Sequence, residues 1–168
     1  MRIITVLLFL VGTNLLFSQT KDNVHIIEKI NKLRESKGIK PLVYDKELHG
    51  IAQEWTGYLS KELNVYSDSK ITAMFSKNPK FLHVEYFSRL KKSIKGKKFK
   101  EIAENIQLST IEGDFNPKYV NYSFNNWKNS IEHYNMMLKE DKTHCAFHYS
   151  YDENTKRMIC ILLLSNIK

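Results

Sequence analysis

Apolar positions recur along the chain with a changing period, and the changes mark its elements. From Asp22 to Lys37 they fall at Val24, Ile26, Ile27, Ile30 and Leu33, close to 3.6 residues per turn, which predicts a helix. Gly38 follows as a C-cap, with Pro41 just beyond. Asp45 is placed to cap a second helix whose inner face reads Leu48, Ile51, Ala52, Trp55 and Leu59. Residues 62–80 are polar and show no clear period. Phe81, Val84, Phe87, Leu90 and Ile94 predict a third helix that Gly96 ends. Ile102 to Ser109 reads as a strand. Asn116-Pro117 starts a fourth helix, because proline in the first turn has no donor to lose. Val120, Phe124 and Trp127 form its inner face, and Ser130 is placed to cap a short turn through Leu138. Two strands close the chain, at about 145–151 and 157–165. The second is continuously apolar (MICILLLS) and so belongs at the centre of its sheet. Helices come early and strands late, which argues an α+β fold with helices covering an antiparallel sheet.

The first residues differ in kind. Arg2 is charged, Ile3 to Phe17 is almost wholly apolar, and the chain then turns polar at Ser18. A charged start, a short apolar run and a polar exit are the marks of a secretory signal peptide. The run is shorter than the roughly 20 residues that span a bilayer as a helix. Residues 1–19 are therefore read as a signal peptide and 20–168 as one domain, exported to the periplasm or beyond. No later segment is long and apolar enough to span a membrane.

Export changes the meaning of the charge. The chain carries a formal +8, and much of the excess sits in one run without acidic residues: Arg89, Lys91, Lys92, Lys95, Lys97, Lys98 and Lys100. In the cytoplasm such a run raises a nucleic-acid reading. Outside it, the first reading is a plain solvated loop with no dedicated partner, and the partners to weigh against it are an acidic polysaccharide or an anionic lipid surface rather than nucleic acid.

Two cysteines, Cys145 and Cys160, flank the turn-like DENT at residues 152–155. In an oxidising compartment a pair is read first as a disulfide. A hairpin centred near residue 153 sets them almost opposite each other, within bonding distance. Closing that loop would stabilise by roughly 3 kcal/mol. Two buried free thiols are the alternative.

Three blocks of residues carry a resemblance. Asn31, Arg34, Gly38, Pro41, Leu42, Tyr44, Asp45, Leu48, Ala52, Gln53 and Trp55 form the first. Glu104-Asn105-Ile106 forms the second, preceded by Ala103. Trp127, Asn129, Ser130, His133, Asn135 and Leu138 form the third. In this order they resemble the signature of the CAP superfamily of cysteine-rich secretory and pathogenesis-related proteins, in a divergent bacterial form. The resemblance spans nearly the whole exported chain. It implies a three-layer α-β-α sandwich with a central antiparallel sheet. Most of the first block has a purely structural reading as cap, turn and core residues.

The resemblance also implies a cleft lined by histidines and glutamates, which in some members binds a divalent metal such as zinc. Carried over by motif, Glu104 and His133 are the first candidates. Imidazole and carboxylate are sound ligands for such an ion. The third position is altered: Phe75-Ser76-Lys77 matches a segment in which bacterial members have histidine at the last place. His83, six residues on, is the candidate replacement. Ser130 stands where animal and plant members have a glutamate, and His148 is a loose counterpart of a late histidine. No HExxH, GxSxG or Gly-rich phosphate loop occurs, and nothing marks a nucleophile.

These observations lean away from an enzyme. They favour a secreted binding or scaffold module whose partner is an anionic glycan, a lipid surface or another protein. Two alternatives stand beside it. One is a metal-assisted hydrolase built on His83, Glu104 and His133. The other is lipid or sterol binding in a groove near Phe81, Tyr86 and Phe87.

Overall fold

In the computed structural model of the chain, the described residues are 23–78, 80–83, 86–95 and 98–167. Residues 1–19, read from the sequence as a signal peptide, lie outside them. Helix α1 covers residues 23–35 and buries Ile26, Ile27 and Ile30. Gly38 ends it at φ +72°. Gly38 N–H donates to the Glu35 carbonyl and Ile39 N–H to the Arg34 carbonyl, both at 3.0 Å. These are the two bonds of a Schellman cap. Only glycine takes that φ without steric cost.

Strand β1, Val43–Tyr44, leads into helix α2, Lys46–Leu63. Asp45 caps it as expected: Oδ1 accepts from the backbone N–H of Glu47 and Leu48. The predicted inner face is buried, with Thr56 and Leu63 added. The polar stretch after it holds helix α3, Asp68–Lys77, capped by the Ser67 hydroxyl. The single third helix expected from Phe81 onward is two elements, a 3₁₀ turn at Phe81–His83 and helix α4, Tyr86–Ile94. Strand β2, Phe99–Thr110, is longer than predicted. A 3₁₀ turn at Pro117–Tyr119 precedes helix α5, Val120–Asn129. Helix α6, Ile131–Met137, follows. Strands β3, His144–Asp152, and β4, Arg157–Ile167, form the closing hairpin. No helix among the described residues is long and apolar enough to cross a membrane.

The four strands form one sheet in the order β1-β3-β4-β2. β4 is interior, as its unbroken apolar run requires. One part of the expectation is corrected: β1 pairs with β3 in parallel, so the sheet is mixed. The reason is local, since β1 is only the two residues between two helices.

Alternate β4 residues feed two cores. Ile159, Ile161 and Leu163 pack with α2, α3 and the Phe81–His83 turn. Met158, Cys160, Leu162 and Leu164 pack with α1, α5 and α6. Side chains alternate faces along a strand, so the sheet is covered by helices on both sides.

The hairpin register corrects the disulfide expectation. Cys145 pairs with Leu164, and Tyr149 with Cys160. Both cysteines point into the same core, but they lie four residues apart along the strands, on the order of 13 Å. That is beyond disulfide reach. Both are free and buried, and burial pushes each thiol up to about 12. The turn is centred between Asn154 and Thr155, with Lys156 at φ +55°. That is later than the DENT pattern suggests.

Candidate functional site

β2 is the outer strand of the sheet on one side, and a cleft of about 510 Å³ runs along it. His83 borders it on the α4 side, while Glu132, His133 and Met136 of α6 border it on the other. Successive β2 residues serve the two sides. Ile102 and Ile106 belong to the α2-side core, so Glu104 between them faces that side. Asn105 faces the other, where its Nδ2 donates to the His133 carbonyl at 3.0 Å. The Glu-Asn pair thus ties the strand to both walls.

Glu104 is the centre of the α4 side, and its side chain is 2 % exposed. His83 Nδ1 donates to Oε1 at 2.8 Å. Arg89 is the other partner. Its Nη1 lies 3.3 Å from Oε2 and its Nη2 3.3 Å from Oε1. Two guanidinium nitrogens therefore face two carboxylate oxygens in a forked pair. The contacts are longer than the shortest of this type, but they place a full positive charge on a buried carboxylate. Arg89 is itself 8 % exposed, and its guanidinium carbon sits 4.5 Å from the centroid of the Trp55 ring. Trp55 Nε1 in turn donates to Ser93 Oγ at 2.9 Å. Arg89 and Ser93 stand four residues apart on α4, so one face of one helix holds both the arginine and the tryptophan it stacks on.

Sequence reasoning misassigns Arg89. It heads the basic run whose composition reads as an outward surface, yet it turns inward. Lys98 is bonded to the free oxygen of Asp45, and Lys92 pairs with Glu54 at 3.3 Å. Lys91, Lys95 and Lys100 are exposed, and Lys97 lies outside the described residues. The run is thus partly a set of internal ties. Arginine's planar fork could have signalled the exception among lysines.

His83 and His133 share the cleft with Glu104. Lys77, the altered motif position, is the exposed last residue of α3, and His83 is the residue that reaches Glu104. On the α6 side His133 Nδ1 lies 2.7 Å from Ser130 Oγ. Ser130 occupies the N-cap position of α6 but makes no capping bond; its hydroxyl is spent on His133, contrary to the capping expectation. Burial, and then the neighbouring His83, hold His133 below the ordinary histidine value. Lys142, 2 % exposed, lies at the cleft paired with Glu101 and Asp141.

His148 is elsewhere. It faces α2, where its Nδ1 lies 2.7 Å from Thr56 Oγ1. The hydroxyl donates to the Gln53 carbonyl at 3.0 Å, so the imidazole Nδ1–H is the donor to Thr56. His49, which sequence reasoning missed, donates from Nδ1 to the Phe147 carbonyl at 3.0 Å. The two rings meet edge to face, 5.3 Å between centroids. Burial, then the neighbouring His49, push His148 down to about 4.

The donor set does not suit a divalent cation. Both Glu104 oxygens are already engaged, one of their partners is a fixed cation, and any ion between His83 and Glu104 would sit against that guanidinium. Among the described residues, no group of three histidine, cysteine or acidic side chains is placed to hold a metal.

The model of the cysteine-rich secretory protein family, CAP, matches residues 27–162. None of the curated proteins matches the chain significantly. Several solved structures share the fold. An outer surface protein from Borrelia burgdorferi is 16 % identical, with a TM-score of 0.59 over 89 % of this chain and 96 % of that one. A cysteine-rich secretory protein from Staphylococcus aureus is 18 % identical, with a TM-score of 0.54 over 88 % of this chain. An extracellular SCP-domain protein from Bacillus anthracis is also 18 % identical, with a TM-score of 0.52 over 88 % of this chain. This chain spans 39 % of the Staphylococcus chain and 41 % of the Bacillus chain. At these identities the likeness concerns the fold. With four-fifths of its length matched by the family model, the chain is a member of the CAP family of cysteine-rich secretory proteins.

Proposed function

We propose that this CAP domain is a secreted, non-catalytic binding module that meets an anionic surface outside the cell. The observation that carries the reading is the Arg89 clamp on Glu104: the buried carboxylate of the cleft is neutralised by a fixed internal cation. Its lone pairs are committed to Arg89 and His83, which removes the ligand or base that a metal-assisted hydrolase would need. The exposed Lys91, Lys95 and Lys100 remain near one another in sequence at the α4–β2 junction, and the formal charge is +8. Export is supported by the N-terminal signal pattern and by structural relatives described as an outer surface protein and an extracellular protein.

The test is retention of the exported chain on phosphatidylglycerol vesicles and on immobilised sulfated polysaccharide, with neutral vesicles as control. Retention on one of the anionic surfaces is expected, and it should vanish in about 1 M salt, where the screening length is about 3 Å. Lys91→Glu/Lys95→Glu/Lys100→Glu should lose it, while Glu104→Ala/His133→Ala should keep it if folded. No retention anywhere, or retention lost only with the cleft variant, would overturn the reading.

One observation favours lipid or sterol binding as a second reading. A mainly apolar pocket of about 140 Å³ lies between α2, α3 and the Phe81–His83 turn, lined by Leu59, Leu63, Met74, Phe81 and Leu82 with Tyr58, Tyr66 and the acidic Glu62 beside them. It is smaller than the roughly 300–1,000 Å³ of ordinary ligand sites and suits the end of an acyl tail better than a sterol. The Tyr86 and Phe87 side chains lie outside those described.

A further inference from the structure

A second pocket, of about 290 Å³, adjoins the cleft along the second half of β2, and His133 lines both. Gln107 and Ser109 of β2 border it, with Asn126 and Trp127 of α5. Lysine, arginine, aspartate and glutamate are all absent from its lining, and burial first of all holds His133 below the ordinary histidine value. The pocket is therefore polar without being charged. Two of its residues carry buried polar atoms with no hydrogen-bond partner among the described residues: the indole Nε1 of Trp127 and the amide Oε1 of Gln107. Trp127 is 1 % exposed. One atom is a donor and the other an acceptor. A buried polar group left unpaired is costly, and here a complementary pair of them belongs to one pocket wall.

We infer that this pocket binds the acetamido group of an N-acetylated amino sugar, its carbonyl accepting from Trp127 Nε1 and its N–H donating to Gln107 Oε1. The site is separate from the surface lysines and goes beyond the anionic-surface reading. A carboxylate or phosphate would satisfy the indole but meet the Gln107 oxygen as a second acceptor. A neutral secondary amide satisfies both. The pocket's size, near the lower end of ordinary ligand sites, suits one sugar ring, and the exposed amide of Asn126 stands at its rim for ring hydroxyls. A peptide carries amides too, but as an added strand it would have only residues 107–110 to pair with, because Ile102, Glu104, Asn105 and Ile106 are buried. Both unpaired atoms are shielded from water, so entry requires the Gln107 side chain to turn. Its amide is held by a bond from Nε2 to Ser109 Oγ at 2.7 Å, one neutral contact to exchange for the ligand's.

The chain's two tryptophans provide the test. Trp55 Nε1 is already bonded to Ser93 and serves as an internal reference. An N-acetylglucosamine trimer is titrated into the exported chain, with the indole N–H resonances followed by NMR and assigned from Trp55→Phe. The solution holds about 1 M salt, where the screening length is about 3 Å, so attraction to anionic surfaces plays no part. The Trp127 resonance should shift to saturation while that of Trp55 stays in place. Cellotriose, which has hydroxyls in place of the acetamido groups, should move neither. Gln107→Leu should weaken binding about tenfold, and Gln107→Asn, too short to reach, replaces it if circular dichroism shows Leu misfolded. Lys91→Glu/Lys95→Glu/Lys100→Glu should bind the trimer as the native chain does, so this result stands or falls apart from the anionic-surface reading. A Trp127 resonance that does not respond would overturn the inference. So would an equal response to cellotriose, a response to an uncharged hexapeptide but not to the sugar, or undiminished binding in a folded Gln107 variant.

Discussion

The Arg89 guanidinium carbon sits 4.5 Å from the centre of the Trp55 ring, behind the carboxylate of Glu104. The tryptophan is fully buried in the α2-side core, so it joins the hydrophobic interior to the electrostatics of Glu104. Trp55→Ala should cost about 3–5 kcal/mol, the usual loss for a large buried aromatic, read as a lower midpoint in urea. Trp55→Phe should cost clearly less, since it keeps most of the ring and gives up the bond to Ser93.

Arg34 is completely buried, and its guanidinium donates to the carbonyls of Lys40, Met137, Lys139 and Lys142. It therefore holds the loop after α6, which carries Lys142 to the cleft. Arg34→Met leaves several buried acceptors without donors and should cost about 3 kcal/mol. Arg34→Lys should not restore it, because a single ammonium cannot span four carbonyls. Chemical denaturation of the two variants checks both statements.

Stability should fall in mild acid. His148 is held near 4 in the folded chain against about 6.5 when unfolded. Between those values the unfolded chain binds the extra proton, so stability is full above about pH 6.5 and is lost as pH falls toward 4. The full effect of this group is about 3 kcal/mol. His49 and His133, also held low, act in the same direction. Urea midpoints at pH 7.5 and 5 should differ markedly in the native chain and less in His148→Phe; equal slopes would remove His148 from the account.

Cys145 and Cys160 should both react with a thiol reagent after denaturation, and neither at a measurable rate before it. Dithiothreitol should leave the melting temperature unchanged. A shift of several degrees on reduction would restore the disulfide and place the hairpin register in error.

Much of this fold was legible because the signals were local. Asp45, Gly38 and the Leu48–Leu59 stripe determine their elements by short-range bonds and a clear period. The unbroken apolar run of β4 could only be interior. The hairpin register was not legible. DENT marks a turn, but two residues of shift along it move the cross-strand partner by four, and only the packing of both β4 faces selects between them. The cleft was half legible. Glu104 and His133 follow from the motifs, His83 only as a replacement six residues beyond the altered Lys77, and the three line one cavity. Arg89 was hidden among lysines, since a charge count does not record which side chain of a basic run turns inward. His49 was missed because a single histidine on a helix carries no pattern of its own.

The two edges of the sheet are guarded differently. β1 is two residues long, too short to recruit another strand. β2 is twelve residues long, a length that would invite edge-to-edge association if left bare. Here Asn105 fastens α6 beside it, α4 packs on its other face through the Arg89–Glu104 pair, and Lys100 and Glu101 place charges near its start. The walls of the cleft are thus also the chain's protection against self-assembly. Variants that loosen α6 should be expected to precipitate before they unfold, and solubility becomes as sensitive a report on the integrity of this site as any ligand.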